Sequence, residues 1–367
     1  MGSCSIADSA PLPGVEAVVL VGGMGTRMRP LTLSAPKPML PTAGVPFLTH
    51  LLGRIRAAGV RHVVLSTSYR AEVFATHFGD GSVLGLAMDY VVEDEPLGTG
   101  GGIRNVASIL TEPDVLVFNG DVLCGLDPAE VVATHRATAA DVTLHLVRVS
   151  DPRAFGCVPT TDDGRVLDFL EKTGTPPTDQ INAGCYVFRR EVIESIPAGR
   201  AVSVERETFP GLLTTGARLQ AHVDGSYWLD LGSPAAYVRG SADLVRGLVP
   251  SPALPGPVGE ALLLPGAKVH PDARVEGGSV VGASAVVDSG ARVIGSVLMD
   301  CSRVGPGAQL QRSVLGAHAQ VGAGAVLHDA VIGDGAVVGA RCELRAGLRI
   351  WPGVVLPDGG VRFSTDV

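Results

Sequence analysis

The chain has 367 residues, a formal net charge of −8, and 46% hydrophobic against 18% charged residues. This length and apolar content predict two buried cores, and the acidic balance argues against a nucleic-acid partner, because nucleic-acid binders are basic over a whole face. No stretch approaches the roughly 18 consecutive apolar residues of a membrane helix, so no membrane partner is expected.

Two features bear on the compartment of the protein. Residues 1–14 show neither a basic region nor an apolar core, so we expect no secretory signal. The six cysteines are scattered without a Cys-x-x-Cys pair, which predicts neither a zinc site nor a disulfide framework. Both features favour a reducing, cytoplasmic location.

The first predicted strand, over 17–21, leads directly into a glycine-rich and basic stretch. Its glycines and cations are Gly22, Gly23, Gly25, Arg27, Arg29 and Lys37. Glycines allow the backbone to turn its N–H groups toward an anion, and cationic side chains add hydrogen bonds of about 1.5–3 kcal/mol each. The stretch therefore predicts a phosphate-binding loop.

Charge is distributed unevenly around this loop. Residues 17–71 hold no Asp or Glu but seven cations, so the rest of the chain carries −15, the difference between −8 and +7. The chain has only three lysines, Lys37, Lys172 and Lys268, against 26 arginines. A basic window in an acidic chain favours a small polyanionic ligand, and the rarity of lysine marks Lys37 and Lys172 as specific choices of a compact ammonium.

Strands and helices alternate up to about residue 248. Strands are predicted over 17–21, 62–65, 115–118, 142–147 and 185–188, and helices over 46–58, 102–110, 128–137, 204–213 and 234–245. The alternation predicts an α/β domain whose mostly parallel sheet is covered on both sides. Ligands bind at the carboxyl ends of such strands, where the glycine-rich loop and Asn119-Gly120-Asp121 both lie.

The periodicity changes after a proline-rich linker. Large apolar residues recur every six positions with three steps of five, which makes a unit of 17 residues. These anchors are Val281, Val287, Val293, Leu298, Val304, Leu310, Leu315, Val321, Leu327, Ile332, Val338, Leu344 and Ile350. The pattern predicts a left-handed parallel β-helix of hexapeptide repeats. The predicted partition is a catalytic domain over 14–248, a linker over 249–258 and the β-helix over 259–357.

Several short motifs, taken in order, resemble the sugar-1-phosphate nucleotidylyltransferase family. They are the glycine loop with Arg27, Pro30-Leu31-Thr32, Pro36-Lys37-Pro38, Pro96-Leu97-Gly98-Thr99-Gly100, Asn119-Gly120-Asp121, Phe155-Gly156, Glu171-Lys172, Ile181-Asn182-Ala183-Gly184 and Trp228-Leu229-Asp230-Leu231-Gly232. Each motif is weak or moderate alone, but their order and spacing are specific and cover nearly the whole chain after Gly14. Thr173 departs from the proline that usually follows the Glu-Lys pair.

The resemblance implies a Rossmann-like nucleotidyltransferase domain with a mixed, mostly parallel sheet and a magnesium-dependent nucleotidyl transfer. The loop 95–99 and the stretch 203–210 are most similar to the branch that takes GTP and mannose 1-phosphate and forms GDP-mannose and pyrophosphate. The implied catalytic residues are Arg27, Lys37 and Lys172, and the implied magnesium ligands are Asp121 and Asp230. The implied nucleotide-binding residues are Leu20, Gly22, Gly23, Gly25, Thr26, Arg27, Gly98, Thr99 and Asn119. The implied sugar-phosphate residues are Gly156, Glu171, Lys172 and Asn182.

Three alternatives stay open. The same chemistry could use a uridine, thymidine or adenine nucleotide. The chain could instead be a non-catalytic subunit that senses a nucleotide sugar, although such a subunit should lack one of the charged residues that are all present here. The β-helix could carry an acyltransferase activity with His318 or His328 as base, but we favour a packing role or the assembly of a homo-oligomer.

Overall fold

The computed structural model describes residues 10–68 and 70–362, so most of the N-terminal segment considered for a targeting signal lies outside the described residues. The chain divides into two compact units. The sheet unit comprises residues 10–23 and 51–228, and the coil unit comprises Met24–His50 and the described chain from Leu229 onward. The predicted limits of the catalytic domain, the linker and the β-helix stay a prediction. The two units instead group Met24–His50 with the chain from Leu229 onward. In the described ranges no helix is both long and apolar enough to cross a membrane.

The elements before residue 246 have the following bounds. The strands are β1 Val15–Leu20, β2 Pro41–Thr42, β3 Val45–Pro46, β4 His62–Thr67, β5 Ala87–Val92, β6 Asp114–Asn119, β7 Val122–Cys124, β8 Val142–Arg148, β9 Gly156–Cys157, β10 Leu170–Glu171, β11 Gln180–Arg189, β12 Leu219–Asp224 and β13 Trp228–Asp230. The helices are α1 Phe47–Ala57, α2 Ala71–Phe78, α3 Gly98–Asn105, α4 Pro128–Thr138, α5 Arg190–Ser195, α6 Phe209–Thr214 and α7 Pro234–Val245.

The sheet unit is built on a nine-stranded mixed sheet. Its order is β10-β9-β11-β6-β1-β4-β5, and β8 pairs with both β11 and β12. The pairs of β1 with β4 and β6 are parallel, as are β4 with β5 and β8 with β12, whereas β11 runs antiparallel to its neighbours. The predicted mixed, mostly parallel sheet is confirmed. Residues such as Ala17, Val18 and Val19 are fully buried, as expected for a strand covered on both faces.

The helix that follows β5 begins earlier than predicted. Glycines at 98 and 100–102 argue against a helix by propensity, whereas the sequence pattern predicts a helix that starts at residue 102. The structure begins α3 at Gly98, because the backbone N–H groups of Gly100 and Gly101 donate to the carbonyl of Val202 at 2.8 and 3.2 Å. Tertiary contact therefore overrides local preference here, and four residues move from the predicted loop into the helix.

Three stacked parallel sheets form the coil unit beyond residue 260, consistent with the predicted left-handed β-helix. The first sheet contains β14 Ala261–Leu263, β17 Ser279–Val281, β20 Val297–Leu298, β23 Val314–Leu315, β26 Val331–Ile332 and β29 Arg349–Ile350. The second contains β15 Lys268–Val269, β18 Val286–Val287, β21 Arg303–Val304, β24 Gln320–Val321, β27 Val337–Val338 and β30 Val355–Leu356. The third contains β16 Arg274–Glu276, β19 Arg292–Ile294, β22 Gln309–Gln311, β25 Val326–His328 and β28 Glu343–Leu344.

The interior of the coil is filled as the repeat predicts. All thirteen anchors are buried and belong to one hydrophobic cluster. Small residues such as Ala285, Ala308 and Ala325 join them at the corners. Each buried Val, Leu or Ile side chain contributes about 1.5–3 kcal/mol, so the column of anchors accounts for much of the stability of the coil.

The outer surface of the first sheet is also apolar. Val280, Val297, Val314 and Val331 lie opposite one another on successive strands and are at most 2% exposed. The last three pack in one cluster with Met28, Leu31, Leu40, Tyr237 and Val238. In the coil unit, residues 28–40 and helix α7 therefore cover this face. The equivalent positions of the second and third sheets are exposed, as at Arg303 and Gln309, or half-buried, as at Val286 and Val326, and none that the structure describes is fully buried.

Candidate functional site

The first part of the glycine-rich loop belongs to the sheet unit. The N–H of Val21 donates to the carbonyl of Ser66 at 2.9 Å, and the Ser68 hydroxyl donates to the carbonyl of Gly22 at 2.5 Å. A Cβ at Gly22 would lie 2.9 Å from the Ser68 Oγ, so a side chain there would displace this hydroxyl. A Cβ at Gly23 would meet nothing within 4 Å, and this position therefore faces open space.

The second part of the loop, from Met24 onward, belongs to the coil unit. Gly25 has a φ of +60°, and a Cβ there would lie 3.0 Å from Thr32 and 3.1 Å from Lys37. The Thr32 hydroxyl donates to the carbonyl of Gly25 at 2.9 Å. The conformation and the close approach both require glycine at 25. Thr26 and Arg27 follow on an exposed turn.

Three predicted site residues come together around Gly232. The Lys37 Nζ lies 3.9 Å from the Asp230 Oδ1. A Cβ at Gly232 would lie 2.7 Å from an Arg27 guanidinium nitrogen and 2.8 Å from the Asp230 Oδ2. The last residue of the Trp228–Gly232 motif is therefore glycine because a side chain would displace both charged groups. The sequence analysis placed Gly232 in a motif without assigning it this function.

Asp121 lies in the sheet unit, two residues beyond the end of β6. Leu20 of β1 and Asn119 of β6 are direct partners across the parallel pair, which confirms that these two strand ends meet. The N–H of Gly120 donates to the carbonyl of Leu20 at 3.0 Å, and a Cβ at Gly120 would lie 2.7 Å from the same oxygen. This tight turn lets half-buried Asp121 follow the strand. Among the described residues the buried Asn119 Oδ1 accepts no hydrogen bond.

The loop that contains Gly98 and Thr99, two of the predicted nucleotide-binding residues, is held by polar contacts within the sheet unit. A Cβ at Gly98 would lie 2.8 Å from the carbonyl of Val202, and Gly98 has a φ of +69°. The Thr99 hydroxyl donates to the Glu205 Oε2 at 2.8 Å and accepts from the N–H of Val204 at 2.9 Å. Thr99 therefore joins the start of α3 to the stretch 203–205, whatever it contributes to a nucleotide.

Three of the predicted sugar-phosphate residues lie on β9, β10 and β11, and Lys172 follows directly after β10. Glu171 pairs with Gly156, and a Cβ at Gly156 would lie 3.0 Å from the Glu171 Oε2. The Lys172 Nζ lies 3.6 Å from the Glu171 Oε1, and the Lys172 side chain is 62% exposed. Glycine at 156 therefore leaves room beside the carboxylate. Lys172 itself has a φ of +50°, a conformation that costs a non-glycine residue of the order of 1–3 kcal/mol.

The side chain of Asn182 forms hydrogen bonds within its own strand, which the sequence does not predict. Its amide donates to the Tyr186 hydroxyl at 2.7 Å, and its carbonyl accepts from the N–H of Gly184 at 3.1 Å. Burial raises the pKa of Tyr186 well above its ordinary value, which keeps this hydroxyl neutral. Asn182 thus orders the part of β11 in which the pairing register with β8 shifts, between Asn182 and Tyr186. Beside it, the Trp228 indole donates to the carbonyl of Ala183 at 3.0 Å.

Two family models match the chain. The nucleotidyl transferase model matches residues 16–247, and the GMPPB C-terminal domain model matches residues 257–364. A curated mannose-1-phosphate guanylyltransferase from Mycobacterium tuberculosis is 65% identical over 354 residues, which cover 96% of this chain and 99% of that protein. The mannose-1-phosphate guanylyltransferase catalytic subunit beta of Drosophila melanogaster is 36% identical over 270 residues, 71% of this chain and 72% of that protein.

Solved structures agree with these matches over part of the chain. HddC from Yersinia pseudotuberculosis, solved in complex with GMP-PN, is 30% identical and covers 62% of this chain and 97% of its own, with a TM-score of 0.54. A putative glucose-1-phosphate thymidylyltransferase from Bacillus anthracis has a TM-score of 0.57 over 62% of this chain and 94% of its own. At 21% identity, this second likeness concerns the fold alone.

Proposed function

Since the chain belongs to the family of mannose-1-phosphate guanylyltransferases, we propose that it transfers GMP from GTP to mannose 1-phosphate and forms GDP-mannose and pyrophosphate. The observation that carries the proposal is the 65% identity to the mycobacterial relative over 96% of this chain. The guanine nucleotide is supported further by the likeness to HddC, whose solved complex holds GMP-PN.

The proposed reaction is a direct displacement at the α-phosphorus of GTP. A phosphate oxygen of mannose 1-phosphate attacks this phosphorus, the bond to the bridging oxygen breaks, and pyrophosphate leaves with the electron pair. Both substrates are polyanions, so their repulsion must be neutralised before they can meet. Arg27 is the proposed bridge between the transferring and leaving phosphates, and Lys37 adds a positive charge beside the reacting centre.

The nucleotide is proposed to bind the first strand end and the loop after it. The backbone N–H groups of Gly22, Gly23, Gly25 and Thr26 are the proposed donors to the triphosphate. The open space at Gly23 supports this assignment, since a phosphate needs close access to the backbone. Leu20, Gly98, Thr99 and Asn119 are proposed to contact the nucleoside part. The unsatisfied Asn119 Oδ1 is an acceptor suited to a hydroxyl or amino group.

The sugar phosphate is proposed to bind along β9–β11. Lys172 is the proposed cation for the phosphate of mannose 1-phosphate, and its largely exposed side chain leaves the ammonium accessible. Glu171 is an acceptor suited to sugar hydroxyls, and Gly156 permits the approach. Asn182 is proposed to donate to a sugar hydroxyl with the second N–H of its amide, since its other groups are already bonded.

Magnesium is the proposed cofactor, with Asp121 and Asp230 as its carboxylate ligands. Among the described residues no group of three or more His, Cys, Asp or Glu side chains could hold a metal. Two carboxylates suit an ion that takes its remaining ligands from water and substrate phosphates. Bound magnesium would neutralise charge on the phosphates. Chelation by EDTA is expected to abolish turnover, and Asp230→Asn to weaken the response to added magnesium.

An activity matrix of four nucleoside triphosphates against several sugar 1-phosphates, read as pyrophosphate release with magnesium, tests the proposal. We expect GTP with mannose 1-phosphate to give the highest kcat/KM. Arg27→Ala is expected to lower kcat by about 10²–10³-fold, as loss of one transition-state donor does. Arg303→Ala, on the exposed outer surface of the second sheet, is the control and should leave kcat unchanged. A clear preference for UTP or dTTP, or binding of GDP-mannose without turnover, would contradict the proposal.

Cytoplasmic location and homo-oligomerisation are proposed as well. The described cysteines, Cys124, Cys157, Cys185, Cys301 and Cys342, form no disulfide, which supports a reducing compartment. Assembly through the β-helix is supported by the exposed apolar side chains of Trp351, Val354 and Val355 on its last turn. Light scattering of the wild type and of Trp351→Lys checks the assembly, which the variant should weaken.

A further inference from the structure

The outward-facing column of valines on the first sheet ends at an arginine. Val297, Val314 and Val331 stand in register on successive strands, and the next residue in that register is Arg349. The three valines are at most 2% exposed because residues 28–40 cover them, whereas Arg349 is exposed. A charged residue therefore replaces valine where the covered column reaches the edge of its cover.

Arg349 donates to the backbone of the phosphate-binding loop. Its Nη1 lies 2.9 Å from the carbonyl oxygen of Arg27 and 2.6 Å from the carbonyl oxygen of Arg29. Both carbonyls flank Met28, whose side chain is 1% exposed in the cluster on the first sheet. The turn that carries Arg27 is therefore fixed to the coil by an apolar side chain at its centre and by a guanidinium on both of its ends.

We propose that Arg349 is a positioning residue for Arg27. By holding the carbonyls on both sides of Met28, it fixes the direction in which the Arg27 side chain leaves the turn. The inference rests on the function proposed for Arg27, and it assigns the β-helix a part in the reaction as well as in packing.

The physical basis is the strength of a charged donor on neutral carbonyls. Hydrogen bonds in which the donor is charged are roughly twice as strong as those between two neutral groups. The guanidinium is rigid and planar, so fewer rotamers are lost for each bond than with lysine. A misplacement of about 1 Å at a reacting group can cost about 10²-fold in rate.

Steady-state kinetics of Arg349→Ala and Arg349→Lys test the proposal, with Arg292→Ala as the matched control. Arg292 is an exposed arginine of β19 on the third sheet. We expect Arg349→Ala to lower kcat about tenfold and to change the KM for GTP less than twofold, since loop geometry affects the transition state more than ground-state binding. Arg349→Lys should recover part of the lost kcat, because one ammonium can still donate to one carbonyl.

Hydrogen exchange of the substrate-free proteins provides a readout that does not depend on catalysis. The N–H groups of Met28, Arg29 and Leu33 donate within the loop to Gly25, Thr26 and Pro30. We expect peptides covering 25–33 to exchange faster in Arg349→Ala, while the rest of the coil and the Arg292→Ala control match the wild type. If the wild type lacked turnover, the proposed function would fail while hydrogen exchange still tested the contact.

The outcomes separate the interpretations. Faster exchange at 25–33 together with a lower kcat supports positioning. Unchanged exchange overturns the proposal, whatever the activity, because a loss of activity alone would mean that Arg349 acts on the substrate directly. Faster exchange with unchanged kcat also overturns it, since the loop would then move without consequence for Arg27.

Discussion

The outer face of the first sheet of the coil and the outer faces of the other two sheets arise from the same repeat but differ in chemistry. On the first face the register positions are Val297, Val314 and Val331, all buried. On the second face the positions in register include Arg303 and Gln320, both exposed. The inward anchors do not distinguish the faces. The outward-facing residues therefore indicate which sheet is covered. The segment that covers the first sheet includes the loop with Arg27 and Lys37.

The largest difference in stability between the covered and open faces is expected when a charge is placed on the covered one. Val314→Asp places a carboxylate at a fully buried position, and an uncompensated buried charge costs roughly 3–5 kcal/mol. Gln320→Asp, at an outward position of the second sheet, is the control and should stay within about 0.5 kcal/mol. Urea denaturation of the two variants measures the difference. Equal losses would contradict the assignment of a covered and an open face.

Substitutions of inward-facing residues should destabilise the protein by the same amount on a covered sheet and on an open one. Leu315 of the first sheet and Leu327 of the third are both buried anchors of the same hydrophobic cluster. Truncation of either to alanine leaves a cavity and is expected to cost about 3 kcal/mol. The free energies of unfolding of Leu315→Ala and Leu327→Ala should agree within about 1 kcal/mol. A much larger loss at Leu315 would mean that the cover on the first face also depends on the inward packing.

The next smaller loss of stability is expected for a hydrogen bond next to residues 28–40, which cover the first sheet. Tyr237 of α7 is 2% exposed, and its hydroxyl donates to the carbonyl of Pro41. Burial raises the pKa of this phenol well above its ordinary value, so the hydroxyl stays a donor over the working pH range. Tyr237→Phe leaves the carbonyl unsatisfied and is expected to cost about 1–2 kcal/mol, measured by thermal unfolding. Tyr90→Phe, whose hydroxyl bond is exposed, should cost less.

The repeat made the interior of the coil predictable because inward positions depend only on local geometry. All thirteen anchors were read from a spacing of six and five, and all are buried. The outward column also repeats, since Val297, Val314 and Val331 are 17 residues apart, and this signal was missed. What covers that column could not be predicted, because the contact between Arg349 and Arg27 joins residues 322 positions apart.

At the candidate site, the sequence predicted strand ends better than side-chain partners. The ends of β1 and β6 meet as expected, because parallel neighbours place their carboxyl ends together. The sequence does not predict the local bonds of Thr99 and Asn182, since the first depends on the stretch 203–205 and the second on a register shift in β11. Gly232 and Arg349 were missed for the same reason. Their importance appears only when Arg27 has been placed in three dimensions.

The smallest expected effect belongs to an ion pair on an open face. Arg312 donates to both carboxylate oxygens of Asp329 at 2.8 and 3.0 Å, beside the third sheet. The Arg312 hydrogen bond lowers the pKa of Asp329 below its ordinary value. The pair therefore stabilises the fold above that ordinary value, and the contribution is lost as pH falls through the lowered pKa. Both side chains are well exposed, so Arg312→Ala should cost no more than about 1 kcal/mol near neutral pH.

Urea denaturation of the wild type and Arg312→Ala, at neutral pH and below about pH 3, checks both the size and the sign of this effect. The difference should shrink in acid and in high salt, because protonation removes the charge of Asp329 and ions screen an exposed pair. The two hydrogen bonds of Arg349 go to backbone carbonyls and not to a carboxylate. The effect of Arg349→Ala on hydrogen exchange at 25–33 should therefore persist at high salt. A loss above about 2 kcal/mol for Arg312→Ala would exceed what an exposed pair contributes. It would mean that the third face is covered by another molecule in solution, and the contrast between covered and open faces would then hold only within one chain.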